Sequence, residues 1–84
     1  MEYRTHLTPF LEEQITKIKK KDHALYERLM KKIVQIAENP EHYKPLRGDL
    51  AGKRRAHLDP FVLIFEAKGD LITFHYIKHH DKAY

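Results

Sequence analysis

The hydrophobic period of this chain changes once, and that change constrains the fold more than any other feature. Up to residue 38 apolar side chains recur every three to four positions; from residue 53 onward they run in short blocks separated by compact turns. Leu11, Ile15 and Ile18 fall at i, i+4, i+7, and Leu25, Leu29, Ile33 and Ile36 continue the pattern, with Tyr26, Met30 and Ala37 flanking the second stripe. Thr8 followed by Pro9 is a helix start, because threonine caps and proline is tolerated where its missing N–H is not needed. Lys19, Lys20 and Lys21 suit a helix C-terminus, Asp22 can cap a second helix, and Asn39-Pro40 ends it. Residues 9–38 therefore read as a helical hairpin.

The second half reads as strands. Lys53–Leu58, Phe61–Ala67 and Leu71–Lys78 are separated by Asp59-Pro60 and Lys68-Gly69-Asp70, turn signals short enough to demand an antiparallel meander. Phe61-Val62-Leu63-Ile64-Phe65 is apolar on both parities, as in a central strand covered on both faces. With Glu2–Leu7 as a first short strand, the expected order is βααβββ: an α+β domain, its N-terminal helical hairpin packed on an antiparallel sheet. Eighty-four residues leave room for one domain, 1–84, and a chain of this size buries only about 60% of its unfolded surface, so marginal stability and a supporting partner are expected.

No segment approaches the roughly 18 uninterrupted apolar residues of a membrane span, and the N-terminus has no apolar run of the kind a secretory signal needs. Without cysteines there is no disulfide framework and no thiolate site or nucleophile, which fits a reducing cytoplasm. Residues 1–43 carry 8 basic and 7 acidic side chains, residues 44–84 carry 8 and 5, and four of the seven histidines lie in the second part. This excess points to an anionic partner, nucleic acid or an acidic protein.

Alternation along Lys53–Leu58 puts Lys53, Arg55 and His57 on one side and Arg54, Ala56 and Leu58 on the other. The first set is either a phosphate-reading surface with a proton-exchanging histidine or a solvated sheet face. Lys78-His79-His80-Asp81-Lys82-Ala83-Tyr84 holds groups for acid–base work, phosphate binding and base stacking, or is a frayed end. His75, His79, His80 and Asp81 are all possible metal ligands, but strand spacing does not converge them and no metal is expected. His6, His23 and His42 read as surface residues, and Lys17, Lys19–Lys21, Lys31 and Lys32 either as contacts to RNA or a ribosome or, the preferred reading, as solvated helix faces.

The segment from Leu46 to Glu66, with its Arg54-Arg55-Ala56-His57 core, and the ending His80-x-x-x-Tyr84 resemble the RelE/ParE superfamily of toxin–antitoxin toxins, and within it the YafQ-like branch. The resemblance spans the chain in element order and is specific over residues 46–84. It implies a RelE-like microbial RNase fold and a cytoplasmic toxin that cuts mRNA in the ribosomal A site without metal or other cofactor. A co-expressed antitoxin would hold it inactive. His57 and His80 match histidines of the YafQ-like pattern, Tyr84 its terminal aromatic, and Lys53 and Arg55 the positions of two RelE lysines. The implied catalytic set is His57, His80, Tyr84, Arg55 and Lys53, with Arg54, Lys78, Arg47 and Lys44 contacting RNA. The sequence departs from the pattern at Val62, where RelE has an arginine, and at the Asp59-Pro60 turn, one residue shorter than in YafQ. A ParE-like gyrase inhibitor and a degenerate member that only binds antitoxin or nucleic acid are the competing readings.

Overall fold

The computed structural model describes residues 3–48 and 51–80. It contains β1 (Arg4–Leu7), α1 (Pro9–Lys21), α2 (His23–Glu38), a short 3-10 turn at Pro40–His42, β2 (Arg54–Leu58), β3 (Phe61–Lys68) and β4 (Leu71–His79). The hairpin of helices and the strand order match the expected βααβββ arrangement. Glu2, placed in the first strand by its sequence, lies outside the described residues.

Capping explains the helix boundaries. The Thr8 hydroxyl accepts the Leu11 N–H at 3.1 Å, and the Asp22 carboxylate accepts the Leu25 N–H at 3.1 Å. Asp22 alone joins the helices, because its own N–H donates to the Ile18 carbonyl at 2.8 Å and closes α1. Such a tight connection lets both apolar stripes face one layer. Leu11 from α1 and Leu25, Leu29, Ile33 and Ile36 from α2 pack with Ala56, Leu58, Leu63, Phe65, Ile72, Phe74 and Ile77 of the sheet.

The sheet order is β1-β4-β3-β2. The last three strands form the expected antiparallel meander, with two-residue connections at Asp59-Pro60 and Gly69-Asp70. Gly69 adopts φ 61°, a conformation that glycine enters without a Cβ penalty. β1 joins the outer edge of β4 in parallel, Arg4 beside Leu71 and Leu7 beside Phe74, which makes the sheet mixed. The helical hairpin carries the chain from β1 across the sheet to β2 at the opposite edge, and the meander brings it back to β4 beside β1.

β1 covers only part of that edge. Beyond it the Thr8 N–H donates to the Phe74 carbonyl at 3.1 Å and the Thr8 hydroxyl to the His75 carbonyl at 2.7 Å. Gln14 then pairs with Ile77 as a strand would: its Nε2 donates to the Ile77 carbonyl at 3.0 Å and its Oε1 accepts the Ile77 N–H at 2.9 Å. The β3–β4 register shifts at this level, Ile64 opposite Tyr76 but Phe65 opposite Phe74, so His75 is the extra residue of a bulge.

Gln14→Ala should lower unfolding free energy by about 1–3 kcal/mol, because it leaves a sequestered N–H and C=O without partners. Gln14→Glu keeps the acceptor but sets a carboxylate oxygen against the Ile77 carbonyl, so it should cost at least as much at neutral pH and less in acid, where a protonated carboxyl can donate; urea denaturation of the two variants at both pH values measures the order. At the other end of the edge Arg4 clasps Asp70, Nη2 to Oδ1 at 3.0 Å and Nε to Oδ2 at 3.2 Å. The hydrogen bond from Arg4 is the main reason the Asp70 carboxyl sits below its usual range. Its stabilisation is therefore complete above an ordinary carboxylate pKa of about 4 and is lost as pH falls through the lower folded-state value. The Tm gap between wild type and Asp70→Asn should be small at neutral pH, close in strong acid and shrink with salt.

Candidate active site

β2 divides its side chains by parity. Ala56 and Leu58 are buried under the helices, so Arg55 and His57 emerge on the other face. Across the sheet Arg55 sits opposite Ile64, which sits opposite Tyr76; His57 sits opposite Val62, which sits opposite Lys78. Val62 and Ile64 are 0% and 1% exposed yet stand apart from the helix-side cluster. The double-parity apolar run of β3 therefore serves two different surfaces: a packed core on one side and, on the other, a narrow apolar strip bordered by basic and aromatic side chains.

His80 reaches this face from the end of β4. Its N–H donates to the Pro60 carbonyl at 2.7 Å, extending the β3–β4 ladder past Phe61 and His79. The His57 and His80 rings consequently lie 5.8 Å apart between centroids, tilted by 35°. The turn that supplies the Pro60 carbonyl is held from α2, where Arg28 Nη2 donates to the Asp59 carbonyl at 2.9 Å.

The segment after the 3-10 turn covers the outer edge of β2. Leu46 N–H donates to the Lys53 carbonyl at 2.9 Å and Arg55 N–H to the Lys44 carbonyl at 3.3 Å. Tyr43 anchors the segment edge-on against Phe65, ring centroids 5.7 Å apart, and burial pushes its phenol above the usual value. This arrangement brings Lys44 and Arg47 to a cleft with Arg55, and Lys44 and His42 to a second cleft with Arg55 and His57.

Of the residues singled out in the sequence, Arg55, His57, His80, Lys44 and Arg47 gather around this edge, and Lys78 flanks Val62 on the same face. Arg54 does not join them. It has the parity of Ala56 and Leu58, and its Nη1 donates to the Tyr43 carbonyl at 2.7 Å, a tie that holds the covering segment in place. Lys53 precedes the strand and is half-buried. Tyr84 and Asp81 lie outside the described residues. The other histidines are dispersed: His75 contacts Glu66 at 3.3 Å, and His79 packs edge-on to Phe61. Among the described residues no three possible metal ligands converge.

Sequence reasoning passed over Arg28 and preferred a surface role for Lys32 and His42. The available signal was positional: Lys32 precedes Ile33 and Arg28 precedes Leu29, so both border the buried stripe of α2 where that helix meets the sheet edge. Arg28→Ala should loosen the Asp59-Pro60 turn. Amide exchange at His80 should then rise roughly 2- to 10-fold, the equivalent of one net hydrogen bond, and the ring-proton shifts of His57 and His80 should move together in NMR spectra.

Comparisons with known proteins agree with this fold. The sequence profile of the family described as "ParE toxin of type II toxin-antitoxin system, parDE" matches residues 6–84. A Methanocaldococcus jannaschii protein described as a candidate toxin, RelE4, is 34% identical over 85 residues, covering 98% of this chain and 90% of that protein. The toxin–antitoxin complex RelBE2 of Mycobacterium tuberculosis superposes with a TM-score of 0.80 at 17% identity, covering 94% of this chain and 99% of the other. The E. coli DinJ-YafQ complex gives 0.78 at 19% identity, covering 100% and 99%.

Proposed function

The chain belongs to the ParE/RelE family of type II toxin–antitoxin toxins, and from that premise we propose that it is an endoribonuclease that cuts mRNA on the ribosome and so arrests translation. The observation that carries this reading is the pairing of His57 with His80 at 5.8 Å beside the guanidinium-bearing strand position Arg55. Breaking RNA with side chains alone needs a base for the ribose 2′-OH, an acid for the leaving 5′-oxygen, and cations for the charge that grows on phosphorus. Two imidazoles this close can serve one phosphodiester from two sides. Arg55 supplies the adjacent cation, Lys53 and Lys78 add to the field, and Lys44 and Arg47 lead the backbone of the substrate along the edge. Tyr84 would stack on a base or orient the phosphate. The products are a 2′,3′-cyclic phosphate and a free 5′-hydroxyl.

The solved relatives RelBE2 and DinJ-YafQ are toxin–antitoxin complexes. By the same logic a cognate antitoxin with an acidic segment would cover the basic face and keep this chain inactive, associating quickly and with strong salt dependence. A second reading, inhibition of gyrase by binding, is favoured by the family description, which names ParE.

Pulse labelling separates the two. Induced without a partner, the protein should stop labelled methionine incorporation before DNA synthesis falls; the reverse order would establish the gyrase reading. On ribosome-bound mRNA, His80→Gln should retain fold and affinity but lower single-turnover cleavage by roughly 10²–10⁴-fold, the usual contribution of a general acid or base. Wild-type rates in both His57→Gln and His80→Gln would sink the histidine mechanism.

A further inference from the structure

Lys32 stands out among the cations of α2. It is half-buried, and it lines both clefts that His57 lines. One cleft, about 260 Å³, runs between Lys31, Lys32 and Gln35 of α2 and the His57–Asp59 end of β2. The other, about 320 Å³, lies between Lys32, His42, Lys44, Arg55 and His57. Lys32 and His57 thus border the same two clefts at the edge of β2.

Among the described residues Lys31, Lys32 and Lys44 form no ion pair with a carboxylate. The ion pairs Arg4–Asp70, His23–Glu27 and His75–Glu66 involve none of the residues that line the two clefts. Asp59 shares the first cleft but forms no ion pair with Lys31 or Lys32. Holding a lysine half out of water, next to Lys31, Lys44 and Arg55 and without an acidic partner, opposes solvation and self-repulsion. Such an arrangement suits an anion that enters from outside.

We infer that the junction of α2 and β2 is a second phosphate seat, in which Lys32, supported by Lys31, holds the RNA backbone one linkage away from the phosphodiester at His57 and His80. This identification of the polyanion rests on the ribonuclease reading; the site itself rests on the two clefts and on Lys32, half-buried between them and paired with no described carboxylate. α2 thereby acts both as core helix and as one wall of the substrate track.

The test uses a fluorescein-labelled 2′-O-methyl RNA oligonucleotide, which the enzyme can bind but not cut, with anisotropy read over a salt series. Lys32→Gln should weaken binding roughly 3- to 10-fold at 0.1 M salt and reduce the slope of log K against log salt by about 0.7, the value of one single-strand phosphate contact. Lys32→Arg should restore both. Lys20→Gln, on exposed α1, should change neither. Equal affinity and slope for wild type and Lys32→Gln overturns the seat, as does an equal loss in Lys20→Gln, which would show a diffuse charge effect. Unchanged RNA binding with weakened capture of an acidic antitoxin would make the edge a protein-docking surface and also overturn it. The wild type failing to cleave mRNA while these binding differences persist would remove the ribonuclease reading and leave the phosphate seat standing.

Discussion

The pairing of the outer edge of β4 is the constraint from which the rest of the structure follows. β4 is nine residues long and β1 only four, so part of its backbone would face the domain interior without partners. α1 meets that need with side chains, Thr8 bonding the His75 carbonyl and Gln14 both polar groups of Ile77. These bonds fix α1 along the sheet, and the one-residue connection at Asp22 then fixes α2. The layer of helices is thereby committed to one face. The opposite face of β2 and β4 is left to Arg55, His57, Lys78 and His80, the groups a charged ligand would meet.

Elements with local causes were legible in the sequence. The caps at Thr8 and Asp22, the two apolar stripes and both hairpin turns follow from residue type and spacing, and each stands where those signals put it. The parallel seat of β1, the bulge at His75 and the double bond of Gln14 to Ile77 depend on which neighbour arrives at an edge, a fact that no window of sequence contains. The site divides in the same way. Parity alone separated Arg55 and His57 from Ala56 and Leu58, whereas Tyr76 and Lys78 share the face of Arg55 and His57 only because the bulge at His75 shifts the register of β4. Parity also separated Arg54 from Arg55, and the bond from Arg54 to Tyr43 gives that separation a structural use. The approach of Lys32 and His42 to His57 was not legible, because it depends on how α2 and the covering segment converge on β2.

The two hairpin turns have unequal roles. Gly69-Asp70 lies far from the histidines and is clasped by Arg4, which closes the sheet at the β1 end. Asp59-Pro60 carries the geometry of the site, since one of its carbonyls receives His80 and the other receives Arg28 from α2. A turn one residue shorter than in the YafQ pattern is compatible with this role, because what it must supply is backbone: two carbonyls aimed at opposite partners. Side-chain identity in the turn matters less to the His57–His80 pairing than the register it enforces.

The charge distribution links stability to partnership. The domain buries little surface by the standard of larger chains, and it gathers Lys32, Lys44, Arg47 and Arg55 along one edge where no described carboxylate pairs with Lys32, Lys44 or Arg47. Repulsion among these groups disfavours the compact state, so a ligand that neutralises them binds the folded chain better than the unfolded one and stabilises it by mass action. RNA and an acidic antitoxin would both draw on that same unfavourable energy, through the same cations. On the reading proposed above, competition between them would require no second conformation: whichever polyanion occupied the edge of β2 would exclude the other, and inhibition would follow from the electrostatics that make substrate binding favourable.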